Sequence, residues 1–262
     1  MVVEIVDEGA VRWIWMNRPD KLNALSRDLL LALPGALAEA DANPSVKCVV
    51  LAGRGRAFSA GGDLSLVTER RSALQDASER NDLGPVIDAQ VGEAVQFAST
   101  VRMLFDFGKP TVAALHGTVA GGALCMALAC DFRIAANDAT LRPSFMGVGL
   151  PGDFGLSYLL PSMIGRARAI EIIVTKDVLS ATESADYGLV TKVAGDGDLV
   201  ASVGELASRL VNLSPFAYRK FKENLGLHMS RELAETVQHE AGNSRLGALS
   251  SFNAAIVDRF LK

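Results

Sequence analysis

The fold is decided by the stretch KPTVAALHGTVAGGALCMALACDFRIAA, residues 109–136. A short apolar run over 111–115 predicts a buried strand, and a glycine-rich turn follows it. The alanine-rich run over 123–129 predicts a short helix, and residues 132–136 predict a second strand. Because strand and helix alternate here, the sequence predicts an α/β fold.

The residues before this stretch continue the alternation. Strands are predicted over 2–6, 11–16 and 47–52, and a helix capped by Ser26 ends at Asn43-Pro44. Another helix is predicted over 91–105. The polar segment 68–82 has no core pattern of its own, so we expect a mobile loop over a pocket there.

Beyond Pro151 the pattern becomes almost wholly helical. Only residues 189–193 have an extended pattern, and helices are predicted over 166–174, 182–187, 199–213, 215–227 and 231–247. We therefore expect an α/β core over residues 1–197, which carries the functional site, and a helical region over 198–262.

The composition excludes several classes of protein. Apolar residues make up 49% of the 262 residues and charged residues 21%, which is typical of an ordinary globular chain. The formal charge of −4 provides no basic surface for nucleic acid, so we expect no such partner.

The cysteines and the apolar segments indicate a cytoplasmic protein. Cys48, Cys125 and Cys130 are odd in number and have no partner spacing, so a disulfide framework is not expected. The acidic N-terminus lacks the basic flank and long apolar run of a signal peptide. Residues 111–130 approach the length of a membrane span, but they contain His116 and three glycines, so we expect a buried strand and helix.

Three motifs resemble known sites but lack the context that those sites need. GVGLPG (147–152) matches a dinucleotide-binding pattern, yet Pro143 precedes it and Asp153 would face the pyrophosphate. AFSAG (57–61) lacks the first glycine of the turn that carries a serine nucleophile. Cys125, Cys130 and His116 lack the spacing of metal ligands, so we assign no metal.

Two glycine-rich turns, each after an apolar strand, carry the strongest functional signal: FSAGGDL (58–64) and HGTVAGGA (116–123). A glycine lets a substrate approach the main chain, and the second turn also opens a helix whose N-terminus favours negative charge. Two such N–H groups that converge on one oxygen form an oxyanion hole. The alternative is that these glycines only permit tight turns.

These turns occur together with further segments that resemble the crotonase family, the enoyl-CoA hydratase and isomerase superfamily. The resemblance covers residues 11–227 and rests on NRPDKLNAL (17–25), AFSAGGDL (57–64), the opening stretch 109–136, GVGLPGDFG (147–155) and LSATESADYGLVTKV (179–193). It implies a crotonase-like spiral of ββα units with a C-terminal helical region that trimerises, often as a dimer of trimers.

The resemblance also implies the roles of individual residues. The N–H groups of Gly62 and Gly122 form the oxyanion hole for the thioester oxygen of an acyl-CoA. Coenzyme A is part of the substrate, and no separate cofactor is expected. The implied contacts with the substrate are Lys21, Leu22, Asn23, Ala60, Gly61, Asp63, Leu64, Gly121, Phe145 and Lys222. Lys21 and Lys222 are the phosphate partners in this assignment, and the alternative for each is a solvated surface lysine.

The sequence departs from the family pattern at two glutamate positions. A typical member that hydrates its substrate has glutamates where this chain has Cys125 and Phe145, so the hydration chemistry is in doubt. Asp153 lies where several isomerases have a proton-shuttling aspartate and where a dehalogenating member has its nucleophile. Its apolar neighbours predict a raised pKa, although a simple N-cap for a helix near Phe154 is an alternative. The basic cluster usual near the C-terminus is absent or moved to Arg259.

The sequence therefore predicts an acyl-CoA isomerase in which Asp153 moves a proton and the oxyanion hole stabilises an enolate. We expect Phe97, Phe145 and Phe154 to shape the acyl pocket with residues 66–91. One alternative is a hydratase, lyase or hydrolase of the same family, in which Asp153 activates water or attacks carbon. Another is an acyl-CoA-binding protein that has lost turnover.

Overall fold

The computed structural model describes residues 1–195 and 198–260, which form nine strands, twelve α-helices and two short 3-10 helices. The strands are β1 Val3–Glu8, β2 Val11–Met16, β3 Cys48–Gly53, β4 Thr111–Leu115, β5 Thr118–Ala120, β6 Phe132–Ala135, β7 Thr140–Arg142, β8 Leu179–Ser180 and β9 Lys192–Val193. A main sheet has the order β1-β2-β3-β4-β6-β9, and a smaller one has the order β5-β7-β8. β1 is antiparallel to β2, and the other pairs of the main sheet are parallel.

Helices alternate with strands in the first half of the chain, and most of the second half is helical. They are α1 Arg27–Ala42, α2 Leu64–Glu79, α3 Leu83–Phe97, α4 Ser99–Phe105, α5 Gly121–Ala129, α6 Leu156–Ile164, α7 Arg166–Thr175, α8 Ala181–Asp186, α9 Leu199–Leu210, α10 Pro215–Gly226, α11 Met229–Ala248 and α12 Ser251–Phe260. None of the helices in the described part of the chain has the length and apolar character that a bilayer crossing needs.

Several predicted elements are confirmed. The Ser26 hydroxyl caps α1 by accepting a hydrogen bond from the Leu29 N–H, and the helix ends at the predicted Asn43. The predicted strand at 189–193 is shortened to β9, which pairs with β6.

The predicted mobile loop over residues 68–82 is wrong, because most of this segment belongs to α2. Asp63 caps the helix by accepting a hydrogen bond from the Ser65 N–H. Leu66, Leu74 and Ala77 recur at helical spacing and are buried, which supplies the apolar face that the polar composition conceals.

The single helix predicted over 91–105 is also wrong. Two helices, α3 and α4, meet at Ala98, and α3 begins eight residues earlier than predicted. Phe97, Ala98 and Val101 are buried where the two helices join, so tertiary packing stabilises this break.

Each face of the main sheet is covered by helices. Val49 and Leu51 face the large core formed with α1, α4 and α5, whereas the alternate residue Val50 faces α9. α9 therefore packs directly on the sheet. The predicted boundary between residues 197 and 198 lies at the edge of a gap in the described residues, so the division into two regions stays a prediction.

The sheet also places the two glycine turns. β3 and β4 are parallel neighbours, so both strands end at the same edge of the sheet. The turn at 58–64 follows the first of these strands and the turn at 116–123 follows the second. Both turns consequently meet at this edge.

Candidate active site

The two glycine turns are joined by main-chain hydrogen bonds. The Ser59 N–H donates to the Thr118 carbonyl and the Ala120 N–H donates to the Ser59 carbonyl, both at 3.0 Å. Gly61 has a φ of +88°, and a Cβ atom there would lie 3.1 Å from the Ala120 carbonyl oxygen. A side chain at position 61 would therefore strain the backbone and crowd the second turn.

Gly62 forms an isolated parallel β-bridge with Leu25, and its N–H points away from Leu25. The Leu25 N–H donates to the Gly61 carbonyl at 2.7 Å, and the Asp63 N–H donates to the Leu25 carbonyl at 3.4 Å. In such a parallel bridge the N–H of the residue between the two contacts points to the other side. Among the described residues, no hydrogen bond has the Gly62 N–H as its donor.

The N–H of Gly122 is available for a different reason. Gly122 is the second residue of α5, and the first N–H groups of a helix have no acceptor within the helix. The positive end of the helix dipole also lies here. Both predicted oxyanion glycines thus present N–H groups on turns that contact each other.

Two aromatic rings lie over the second glycine turn. A Cβ atom on Gly122 would be 3.0 Å from the ring of Phe154, and one on Gly121 would be 3.9 Å from the ring of Phe145. Phe154 has a φ of +59°, which is uncommon for a residue with a bulky side chain. These are two of the three phenylalanines predicted to shape an acyl pocket.

Asp153 lies beside this aromatic wall and is buried. Its Oδ1 accepts a hydrogen bond of 2.8 Å from the Phe154 N–H, and its Oδ2 lies 3.4 Å from Nη2 of Arg245. Its main-chain carbonyl accepts a hydrogen bond from the thiol of Cys125, which is on α5 one turn after Gly122. Asp153 is thereby brought to the helix that begins with the oxyanion glycines.

The alternative role of Asp153 as an N-cap is wrong. α6 begins at Leu156, and its N-cap is Gly155. The Asp153 carboxylate accepts a hydrogen bond from the Phe154 N–H, which precedes the helix. The helix start is held from another helix: Glu240 of α11 accepts hydrogen bonds of 2.7 Å from the N–H groups of Gly155 and Ser157.

Burial is the largest influence on the Asp153 carboxyl and raises its pKa. The positive charge of Arg245, the Phe154 N–H and the charge of Arg70 act in the opposite direction, but the net pKa stays above the usual value. A carboxyl group with a raised pKa can take and return a proton near neutral pH.

Arg245 and Glu240 were missed by sequence reasoning. Both lie on α11, about ninety positions after the turn that they contact. The sequence around them has no motif, and the packing of α11 against α6 and α3 brings them to Asp153.

The turn of Lys21, Leu22 and Asn23, which is predicted to contact coenzyme A, is joined to the first glycine turn. The Ala60 N–H donates to the Leu22 carbonyl at 2.9 Å. Asn23 is fully buried, and its side chain bonds the main chain of Arg18, Arg54 and Ala57. A substrate contact from Asn23 is therefore restricted to its main chain, whereas Lys21 and Leu64 expose their side chains beside this turn.

Lys222 is not brought to the glycine turns. Its Nζ lies 2.6 Å from Oδ1 of Asp131, and the other carboxylate oxygen of Asp131 accepts the N–H of Thr111 at the start of β4. The oxyanion turn follows the opposite end of that strand. A five-residue strand separates these ends by about 13 Å at 3.3 Å per residue. Arg259, on α12, is exposed.

Comparisons with known proteins agree with this architecture. The sequence model of the enoyl-CoA hydratase/isomerase family matches residues 7–246. The chain is 32% identical to 4-chlorobenzoyl coenzyme A dehalogenase-2 from Arthrobacter sp, over 92% of this chain and 83% of that protein. It is also 32% identical to the peroxisomal Delta(3,5)-Delta(2,4)-dienoyl-CoA isomerase of Arabidopsis thaliana, over 80% of this chain and 75% of that protein.

A solved structure shows the same fold over nearly all of the chain. The crystal structure of an enoyl-CoA hydratase from Mycobacterium avium subsp. paratuberculosis K-10 superposes with a TM-score of 0.83 and 27% identity, and the match covers 98% of each chain. The predicted crotonase fold is thereby confirmed. The chain belongs to the crotonase superfamily of enoyl-CoA hydratases and isomerases, a family of enzymes that process acyl-CoA thioesters.

Proposed function

We propose that this protein is an enoyl-CoA isomerase in which Asp153 carries a proton between the α and γ carbons of the acyl chain. The observation that carries the proposal is the buried carboxylate of Asp153, which has a raised pKa and lies beside the turn that presents Gly122. One group that takes and returns a proton is what a double-bond shift requires.

The N–H groups of Gly62 and Gly122 would hold the thioester oxygen. Their hydrogen bonds stabilise the negative charge that develops on this oxygen when the α carbon loses a proton. Each such donor typically contributes about 3 kcal/mol to transition-state stabilisation. The helix dipole of α5 acts in the same direction.

The proton transfer is balanced within the substrate and Asp153. The carboxylate removes a proton from the α carbon of a 3-enoyl-CoA, and the electron pair of the C–H bond delocalises into a dienolate. The protonated Asp153 then donates to the γ carbon, and the double bond lies between the α and β carbons. No further cofactor enters this scheme.

Hydration is less well supported because the second buried carboxylate has another role. Hydration of the family type uses two carboxylates to position and activate water, and Cys125 and Phe145 cannot supply them. Glu240 lies near Asp153, but both of its oxygens accept main-chain hydrogen bonds from the start of α6. It is therefore occupied in holding the turn.

A second candidate is nucleophilic attack by Asp153, favoured by the similarity to the chlorobenzoyl-CoA dehalogenase. Here a carboxylate oxygen bonds to the carbon that bears a leaving group, the leaving group departs with its electrons, and water hydrolyses the resulting ester at the aspartate carbonyl. A single turnover in ¹⁸O-enriched water would leave ¹⁸O in Asp153, whereas proton transfer would leave none.

The remaining assignments are part of the same proposal. Lys21, Leu22 and the loop from Ala60 to Leu64 would contact the coenzyme A part of the substrate. The helical C-terminal region would assemble the protein as a homotrimer or a dimer of trimers. Analytical ultracentrifugation of the full chain tests the assembly.

Incubation of 2-enoyl- and 3-enoyl-CoA panels in D₂O, followed by mass spectrometry, tests the reaction type. The proposal predicts double-bond migration, with deuterium at the α and γ carbons because the protonated Asp153 exchanges with solvent between transfers. A hydrated or cleaved product would favour the other family reactions. Tight binding of the esters with no exchange of the α proton would favour a binding protein without turnover.

A further inference from the structure

We propose that Arg245 is a positioning residue that favours the ionised form of the Asp153 carboxylate and orients it for proton transfer. The inference rests on the proposed isomerase function for its role in turnover. It starts from an ion pair between Arg245 of α11 and Asp153, on the turn beside the oxyanion glycines. No sequence motif and no family comparison assigns a role to this ion pair.

The ion pair is buried on both sides. Nη2 of Arg245 lies 3.4 Å from Oδ2 of Asp153, and each side chain is 8% exposed. Nε of Arg245 is also buried, and within the described residues it has no hydrogen-bond partner. Burial lowers the pKa of Arg245 and the charge of Asp153 raises it, because a buried guanidinium charge needs an anion close by.

The same helix fixes the main chain around Asp153. The Ser244 hydroxyl donates to the Gly152 carbonyl, and Glu240 accepts from the N–H groups of Gly155 and Ser157. Contacts from α11 thus lie on both sides of Asp153 along the chain. They leave the carboxylate between the Phe154 N–H on one oxygen and Arg245 on the other.

Among the residues that the structure describes, four titratable groups interact with Asp153 from the helices packed around it. They are Arg245 and Glu240 on α11, Arg70 on α2 and Cys125 on α5. Burial raises the pKa of Cys125 well above its usual value, so this thiol is neutral. Glu240, whose pKa is also raised by burial, is bonded to the start of α6.

Arg70 is a weaker partner because its charge is already matched. Its guanidinium donates to Glu93 of α3 at 2.6 and 2.9 Å, and it ranks below Arg245 among the influences on the pKa of Asp153. Burial lowers the pKa of Arg70 to about 10, which still leaves it protonated at neutral pH. Arg245 is consequently the positive charge that acts most strongly on the Asp153 carboxylate.

This arrangement suits a group that must both take and return a proton. Burial alone favours the neutral acid, which cannot accept the α proton, and Arg245 favours the carboxylate. When Asp153 is protonated during the reaction, the attraction to Arg245 is lost. Return of the proton to the γ carbon restores the ion pair, so the positive charge of Arg245 favours completion of the transfer.

The test compares Arg245→Met, Arg245→Lys and wild type in the pH dependence of kcat and KM for isomerisation. Removal of the positive charge raises the pKa of Asp153, so we expect the acidic limb of kcat/KM in Arg245→Met to move up by at least one pH unit. On the acidic limb we expect kcat to fall about tenfold while KM stays within threefold. Arg245→Lys keeps the charge and is expected to restore most of the pH profile.

Arg231→Met is the matched control, because Arg231 lies on the same helix and its side chain is 84% exposed. It is expected to leave kcat and the pH profile unchanged. A folded Arg245→Met variant with the wild-type acidic limb would overturn the proposal, even if its kcat were lower. If that variant does not fold by circular dichroism, Arg245→Gln replaces it in the same comparison.

Carboxyl-¹³C NMR of aspartate-labelled protein separates this inference from the proposed reaction. The Asp153 signal, assigned by its loss in Asp153→Asn, is expected to titrate at higher pH in the Arg245 variant. That shift without double-bond migration on any enoyl-CoA would retain the ion pair and reject the isomerase. Asp153-dependent migration with an unshifted titration would reject the role of Arg245.

Discussion

The ring of Phe154 lies directly against Gly122, so that a Cβ atom on Gly122 would be 3.0 Å from ring carbons Cδ2 and Cε2. The backbone of Gly122 is not in the left-handed region, so it would accept a side chain. The three atoms nearest to a Cβ atom at this position all belong to the Phe154 ring. The absence of a side chain at position 122 therefore leaves room for an aromatic wall beside a free N–H group.

We predict that Gly122→Ala lowers kcat/KM about tenfold, equivalent to about 1.4 kcal/mol, because the methyl group displaces the Phe154 ring. The double variant Gly122→Ala/Phe154→Leu should recover part of this loss. Phe154→Leu alone is the control. Equal losses from Gly122→Ala in both backgrounds would show that the ring is not responsible.

Gly122→Pro should be far more damaging than Gly122→Ala, because it deletes the N–H group itself. Proline is tolerated in the first turn of a helix, so the loss is expected in catalysis and substrate affinity. Removal of one oxyanion donor predicts a loss of about 3 kcal/mol of transition-state stabilisation, or about 100-fold or more in kcat/KM. Turnover similar to that of Gly122→Ala would contradict the oxyanion assignment.

The meeting of the two glycine turns could be predicted from sequence, because each turn follows an apolar strand and the motifs are continuous. The surroundings of Asp153 could not. Arg245 and Glu240 reach it from a distant helix, and nothing near them in sequence distinguishes them from surface charges. Likewise, α2 could not be predicted from the sequence, because it has few apolar positions and its exposed face is strongly charged.

Asn23 is predicted to stabilise the protein through its buried side chain. Its amide bonds three main-chain groups, and its φ of +53° is more readily adopted by asparagine than by alanine. Asn23→Ala should lower the free energy of unfolding by about 3 kcal/mol, because it leaves buried polar groups unpaired.

Asn81→Ala is the control for Asn23→Ala, measured in the same urea unfolding experiment. Asn81 has a similar φ of +55° but is exposed. Its replacement should cost about 1 kcal/mol, the backbone contribution alone. Similar losses for the two variants would show that the Asn23 hydrogen bonds do not contribute.

Asp63 is predicted to make stability depend on pH at the acid end. Burial, the largest single influence, acts to raise its pKa, but hydrogen bonds from Ser65 and Arg18 together lower it below the usual 3.8. Asp63→Asn keeps the helix cap and removes the charge that Arg18 pairs with at 2.7 Å. We expect a loss of about 1 kcal/mol at pH 7.

This loss should disappear as the pH falls. A carboxyl whose pKa is lowered by folding stabilises the native state above its unfolded pKa and loses that contribution as it is protonated. The difference between wild type and Asp63→Asn should therefore shrink below pH 3.8. Urea unfolding from pH 3 to pH 7 measures it, and a constant difference would contradict the role of the charge.

Asp153→Asn tests the central claim most directly, because the amide keeps the size of the side chain and cannot take the α proton. Deuterium incorporation at the α and γ carbons should be measured by mass spectrometry in D₂O for this variant and wild type, on an enoyl-CoA that both bind. We predict incorporation and double-bond migration by wild type, neither by Asp153→Asn, and affinities that agree within a few fold. Full migration by Asp153→Asn would contradict the assignment of Asp153 as the proton carrier.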